Sequence, residues 1–304
     1  MKHDLLTIEQ LDDTTIRSLI DRTLALANGA PPAARSGRVA TLFFENSTRT
    51  RISFELAARR LGLEVVHVDH SRSSASKGES LIDTARTLAA MDISTIVLRH
   101  PDDHVAEQLA EALGNDGPAI INGGDGCHAH PSQALLDAAV IERRRLKWPE
   151  LTVLLVGDIR HSRVARSDIA LFLRLGVAEL RVAGPPELLP DALPEPVRHF
   201  DRLDDALEGS DVVMCLRIQR ERIKASGYPD GERYHADWGL TLQRGERLDQ
   251  ALIMHPGPVN RGVEIAGELV DGPRSLINEQ VRTGVHLRTA LFEWMIPAHR
   301  APIA

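Results

Sequence analysis

The stretch FFENSTRTRISFELAARRLG, residues 43–62, sets Ser47, Thr48, Arg49, Thr50 and Arg51 in succession between an apolar run and a helical pattern. A helix N-terminus carries unpaired N–H groups and roughly half a positive charge, so it receives anions. The hydroxyls of Ser47, Thr48 and Thr50 add neutral donors. Arg49 adds a planar fork that matches phosphate oxygens. An ordinary helix cap needs one hydroxyl rather than three with an arginine among them. The segment therefore reads as a phosphate site, and without a P-loop signature it is not a nucleotide-binding P-loop.

Other clusters carry weaker signals. SRSSASKGES, residues 71–80, holds Ser73, Ser74 and Lys77 and by itself reads as flexible surface. VLRHP, residues 97–101, puts Arg99 and His100 where a strand ends. GDGCHAHPSQ, residues 124–133, combines Cys127, His128 and His130 at a spacing that fits no usual zinc site, so no metal is expected. It reads as a tight turn presenting His130 and Gln133. VGDIRHSRVARS places Arg163 at a helix start and lacks the glycine fingerprint of dinucleotide sites. LRIQRER, residues 216–222, sets Arg217 and Gln219 two apart after a strand, so they point the same way. In HPGPVNRG, residues 255–262, prolines and Gly257 fix a turn that can aim backbone carbonyls around Pro256 outward. Taken singly, each of these is more often structural than catalytic.

The elements that must position these groups alternate. TIEQ offers a capping box, Thr7 with Gln10, for a first helix whose stripe is Ile16, Leu19, Ile20, Leu24 and Ala27. RVATLFF, LEVVHVD, ISTIVLRH and PAIINGG read as strands separated by helical stretches, a βαβ series with a parallel sheet. PSQALLDAAVIERRRLKW reads as a long helix linking two domains, with Pro131 in its first turn. A second series follows in LTVLLVGD, AELRVAGP, SDVVMCLRI and LDQALIMHPGP. GPPELLPDALPEPV holds five of the 17 prolines and reads as a loop inside the second domain. The expected fold is α/β: two doubly wound parallel-sheet domains with helices on both faces, residues 1–131 plus 282–304 and residues 132–281. The final helix returns to the first domain. Ligands in such folds sit beyond the carboxyl ends of strands, where the polar clusters fall.

The chain has 304 residues, enough for two domains with proper cores. Its 36 basic and 43 acidic side chains give a net charge of −7, which speaks against nucleic acid as a partner. The opening MKHDLLTIEQ has no apolar signal core, and no run approaches the roughly 20 residues of a membrane span. Two cysteines, Cys127 and Cys215, form no disulfide framework and suit a reducing compartment, so the cytoplasm is the expected location.

Together, and in order over essentially the whole chain, FFENSTRTRISFE, LRHP, HPSQALLD, RIQRER and HPGPVNRGVEI resemble the aspartate/ornithine carbamoyltransferase family. HPGP, where the ornithine branch carries HCLP, and the lack of an SMG motif make the resemblance one to the aspartate branch. Ser132 stands where threonine is frequent and Gly257 where some members carry leucine. The resemblance implies transfer of the carbamoyl group of carbamoyl phosphate to L-aspartate, a step of pyrimidine biosynthesis, without a cofactor. It implies a phosphate clamp of Ser47, Thr48, Arg49, Thr50 and Arg99, with Thr50, Arg99 and His130 on the carbonyl oxygen. Gln133 and the carbonyls around Pro256 and Gly257 would accept from the carbamoyl NH2. Arg163, Arg217 and Gln219 would hold aspartate's carboxylates. Ser73 and Lys77 would reach a neighbour's site, Lys77 serving both substrates, which implies a homotrimer with shared sites. Glu45 is expected to pair with Arg163 and Arg222 when the domains close on the second substrate. Regulatory or dihydroorotase-type partner subunits stay open.

Three rivals remain at this stage. One is a carbamoyltransferase for another amino acid, which a panel of acceptors would separate. A second is a non-catalytic anion-binding subunit, which should have lost some of Arg49, Lys77, Arg99, His130 or Arg217; all are present. A third, a dinucleotide oxidoreductase, is suggested only by LTVLLVGD.

Overall fold

The structure, a computed structural model, describes residues 2–69, 79–219 and 231–297. The chain forms two compact units, Met1–Ala139 with Val281–Ala304, and Val140–Gln280.

In the first unit the order is α1 (Asp13–Ala27), β1 (Arg38–Phe43), α2 (Thr48–Arg60), β2 (Glu64–Asp69), α3 (Leu81–Ala90), β3 (Ile93–His100), α4 (Val105–Leu113), β4 (Ala119–Asp125) and α5 (Pro131–Arg143). The four strands pair in parallel in the order β2-β1-β3-β4. The chain leaves β1 toward one edge and returns to β3 on the other side, so the order reverses between β1 and β3. Every residue of β4 is buried, as is expected of a parallel strand covered on both faces. Leu42, Ile96, Leu98 and Ile120 of the sheet pack with Ala85 and Leu88 of α3 and Ala106 and Leu109 of α4.

The N-terminal segment is not the helix start that TIEQ suggests. Gln10 does accept from the Thr7 backbone N–H at 3.3 Å, which is half of a capping box. The helix begins later, where the Asp12 carboxylate accepts from Thr15 N at 2.6 Å. Residues before it lie along β4, with Leu5 N donating to Ile120 O at 2.8 Å and Asn122 N to Leu5 O at 2.8 Å. They cover an edge that would otherwise offer open backbone groups.

The second unit contains β5 (Thr152–Val156), α6 (Arg163–Arg174), β6 (Glu179–Ala183), β7 (Arg198–Phe200), α7 (Leu203–Leu207), β8 (Val212–Cys215), α8 (Gly231–Trp238), α9 (Leu242–Glu246), β9 (Leu252–Met254) and α10 (Gly267–Val270). Its five parallel strands run β7-β6-β5-β8-β9, so this order reverses between β5 and β8. Leu154, Val156, Val213 and Ile253 form its core with Leu203, Ala206 and Leu207 of α7. The last helix, α11 (Ile277–Met295), carries Phe292, which meets Phe54 of α2 edge-on at 5.8 Å.

The proline-rich segment lies inside the second unit and delivers the short β7, whose three residues give no strand signal in sequence. The helix from Pro131 stops at Arg143 rather than reaching Trp148. Arg145 turns into a left-handed conformation at φ 60°, and Pro149 sits in a three-residue 3-10 turn where it cannot extend an α ladder. The two units divide within α5, after Ala139, and within α11, before Val281. A continuous helix offers no sequence break, so packing alone sets that line. Among the described residues no helix is long and apolar enough to cross a membrane.

Candidate functional site

The phosphate-type cluster sits at the reversal point of the first sheet. Phe43 is in register with Arg99, and Phe44 N donates to Arg99 O at 2.9 Å. The segment leaving β1 and the end of β3 are thereby held side by side. Ser47 is the N-cap of α2, yet its side chain makes no capping hydrogen bond, and no acid lies in the first turn. The positive end of this helix is therefore not neutralised by its own residues. Thr48 and Arg49 are exposed, while Thr50 is buried.

Arg99 is largely buried and held from two sides. Its Nη1 donates to Gly123 O at 2.9 Å, and its Nε lies 3.3 Å from Glu45 Oε2. Glu45, expected with Arg163 and Arg222, thus stands beside an arginine of its own unit. Arg222, Ser73 and Lys77 lie outside the described residues.

The turn after β4 is built around Asp125, which is 1% exposed. Its Oδ1 accepts from Asn122 Nδ2 at 2.8 Å and from Ala129 N at 3.1 Å. Gly126 has φ 42°, and a side-chain carbon there would fall 1.8 Å from Asp103 Oδ1, so only glycine fits. This tight turn feeds His130, 4% exposed, directly into α5. One turn on, Gln133 Nε2 donates to both carboxylate oxygens of Asp137 at 3.1 Å. Asp137 is fully buried, and its charge acts on Arg288 of α11, which is 3% exposed. Burial lowers the Arg288 pKa to about 10, with Asp137 opposing the shift. The guanidinium also lies 4.8 Å over the Phe54 ring.

The second cluster sits at the other reversal point, beyond β5 and β8. Arg163 opens α6 behind the cap Ser162, whose hydroxyl accepts from Ala165 N at 3.1 Å. It is 6% exposed, so its guanidinium is not a loose surface charge. Arg217 Nη2 donates to Gln219 Oε1 at 3.0 Å, so the two-residue spacing does bring these side chains together. The backbone between them is pinned by two buried acids. Asp158 accepts from Gln219 N at 3.1 Å and from the ring N–H of His161 at 2.9 Å. Glu264 accepts from Ile218 N at 3.2 Å and from Asn260 Nδ2 at 2.7 Å. Burial pushes the Glu264 carboxyl up, and these hydrogen bonds oppose the shift.

Pro256 and Gly257 lie in the turn after β9, where Gly257 has φ 71°. His255 Nδ1 accepts from Gly257 N at 2.8 Å, and His255 N donates to Gln280 Oε1 at 2.9 Å. These two N–H groups are thereby taken, one within the turn and one by α11. Cys215 is buried, which raises its thiol pKa, with Glu264 adding to the effect; it is a packing residue. A polar hollow of about 870 Å³ in the second unit, lined in part by Arg202, Asp204, Arg244 and Arg247, involves none of the expected site residues. There Asp204 already binds Arg244 at 3.1 Å and Arg247 at 2.7 Å.

Sequence reasoning missed the carboxylates that hold the site, namely Asp125, Asp137, Asp158 and Glu264. Buried acids look like any solvated acid in a linear chain. The only available signals were GDG at 124–126 and the strand-end VGD at 156–158.

A family model for the carbamoyl-phosphate-binding domain of aspartate/ornithine carbamoyltransferases matches residues 3–143. A second, for the aspartate/ornithine-binding domain, matches residues 149–295. The aspartate carbamoyltransferase catalytic subunit of Stenotrophomonas maltophilia is 46% identical over 306 residues, covering 96% of this chain and 95% of the relative. The crystal structure of Trypanosoma cruzi aspartate transcarbamoylase in complex with carbamoyl phosphate and aspartate superposes with a TM-score of 0.84 at 30% identity, covering 98% of this chain and 97% of the other. The catalytic subunit of the M. jannaschii aspartate transcarbamoylase gives a TM-score of 0.80 at 31% identity, covering 97% and 98%.

Proposed function

Because the chain belongs to the aspartate/ornithine carbamoyltransferase family, we propose that it transfers the carbamoyl group of carbamoyl phosphate to the amine of L-aspartate. The products are N-carbamoyl-L-aspartate and phosphate. One observation carries the assignment of sites: each sheet has its polar cluster at the point where strand order reverses, one rich in phosphate-type donors and one holding a paired arginine and glutamine.

In this reading the helix mouth at Ser47–Thr50 and Arg99 hold the phosphate. Thr50, Arg99 and His130 donate toward the carbonyl oxygen as it gains negative charge. Removing one donor of that kind costs about 3 kcal/mol of transition-state stabilisation. Gln133 has its NH2 committed to Asp137, which turns its carbonyl oxygen toward other donors, and the carbamoyl NH2 is such a donor. Backbone carbonyls around Pro256 and Gly257 share that task. Arg163, Arg217 and Gln219 take the two carboxylates of aspartate.

The neutral amine of aspartate attacks the carbamoyl carbon, a C–N bond forms, and the bond from that carbon to the bridging oxygen breaks, its electron pair leaving on phosphate. The departing phosphate takes the amine proton. Most of the rate then comes from holding two mutually repelling anions in reacting orientation.

The finer parts of the proposal are a homotrimer in which Ser73 and Lys77 serve a neighbour's site, a cytoplasmic location, and Glu45 turning to Arg163 and Arg222 in the aspartate-bound form. Ile52 and Leu56, one turn apart on α2 and 43% and 45% exposed, support self-association. The test of function is a carbamoyl-transfer assay on the purified chain with a panel of amino acids. Product with L-aspartate alone supports the reading; preferred turnover of ornithine or another amine overturns it.

A further inference from the structure

The first unit contains a side-chain group that the proposed reaction does not use. His104, at the start of α4, Glu107 in its first turn and His128 in the turn after β4 each offer one ligand atom, all within 4.8 Å of one another. The two imidazole centroids are 3.7 Å apart. We propose that His104, Glu107 and His128 form a binding site for a divalent transition cation of the zinc, cobalt or nickel type.

The second observation is the state of the rings. His128 donates its Nδ1–H to Asp125 Oδ2 at 3.2 Å, and His104 donates its Nδ1–H to Glu107 Oε2 at 2.7 Å. Each ring therefore keeps its Nε2 lone pair for a ligand. Asp125 is the buried carboxylate that orients a ligating histidine from behind, an arrangement that recurs around protein-bound zinc. Two imidazoles and a carboxylate suit borderline cations rather than magnesium or calcium.

The segments are also locked together from afar in sequence. Asp103 Oδ1 accepts from Cys127 N at 2.6 Å, and the glycine at 126 lets that carboxylate approach. His104 itself adopts φ 62°, a left-handed conformation in which a non-glycine residue is strained by about 1 kcal/mol, and its side chain does not cap the helix. Ligands around a tetrahedral ion lie about 3.4 Å apart. The exposed His104 and half-buried Glu107 side chains can close that gap by rotation. The spacing within residues 124–133 suggested no metal because two of the three ligands come from residues 104–107. An ion here would stiffen the turn that leads into His130, so it would act as a modulator rather than as part of the reaction.

The experiment is a titration of the full, metal-free chain with cobalt(II), read by its visible ligand-field bands, and with zinc(II) by calorimetry. One saturable site per chain, weakened at least about tenfold in both His104→Ala and Glu107→Gln, is the expected result. Glu107→Gln keeps the side-chain volume, and circular dichroism checks its fold. Absence of saturable binding, or unchanged affinity in the two variants, overturns the proposal. A cobalt–thiolate charge-transfer band that persists in His104→Ala overturns it too, by assigning the ion to Cys127.

Discussion

Gln133 and Asp137 lie one helical turn apart on α5, and both carboxylate oxygens of Asp137 accept from the Gln133 amide nitrogen at 3.1 Å. Asp137 in turn offsets the charge of the buried Arg288. Leaving one member of a buried charge pair alone costs about 3–5 kcal/mol, whereas replacing both by apolar groups is often neutral. Asp137→Leu should therefore lower stability in urea by about that amount, and adding Arg288→Met should recover most of it. Equal instability of the single and double variants would show that the charges are not coupled.

Arg49→Ala should weaken carbamoyl phosphate binding and cut turnover together, by about 100-fold or more. Steady-state kinetics with each substrate varied would check it. Normal constants would remove Arg49 from the clamp.

Glu45→Gln separates two roles. If Glu45 serves by holding Arg99, as the 3.3 Å contact suggests, carbamoyl phosphate affinity falls by about tenfold. If its task is with Arg163 and Arg222, the aspartate KM rises while carbamoyl phosphate affinity stays unchanged.

Shared sites predict complementation. Arg49→Ala and Lys77→Ala chains, each inactive, should regain about a quarter of normal activity after mixing and reassembly. Sites built within one chain would give none.

Acid should act through Glu293. Burial alone pushes its carboxyl up, but hydrogen bonds from Arg22 and Ala33 N, with the charges of Arg22 and Arg35, hold it below the ordinary 4.5. A depressed native pKa means the unfolded chain binds more protons in the window between the native and the unfolded pKa. The contribution is complete above the unfolded pKa and is lost as pH falls through the native one. Urea midpoints from pH 7 down to pH 3 should therefore fall less steeply in Glu293→Gln than in the parent chain.

The alternation of apolar runs and helical stretches is enough to place eight of the nine strands among the described residues and to expect two doubly wound sheets. Burial on both faces leaves long uninterrupted apolar strands, which a linear reading detects. β7 escaped because three residues carry no period. The donor-rich helix mouth at Ser47–Thr50 was legible for a similar reason. A helix N-terminus and its hydroxyls are adjacent in the chain, so their chemistry needs no tertiary information.

Partnership between distant segments was decided only by the folded chain. The register of β1 on β3 sets Glu45 against Arg99, and the turn after β4 meets the start of α4 to bring His128 beside His104. Composition and spacing determined what kinds of groups this protein carries and at which strand ends they emerge. Which carboxylate faces which cation depends on strand order and on burial. Both are properties of packing, and a charged residue looks the same in sequence whether it ends in water or against a buried partner.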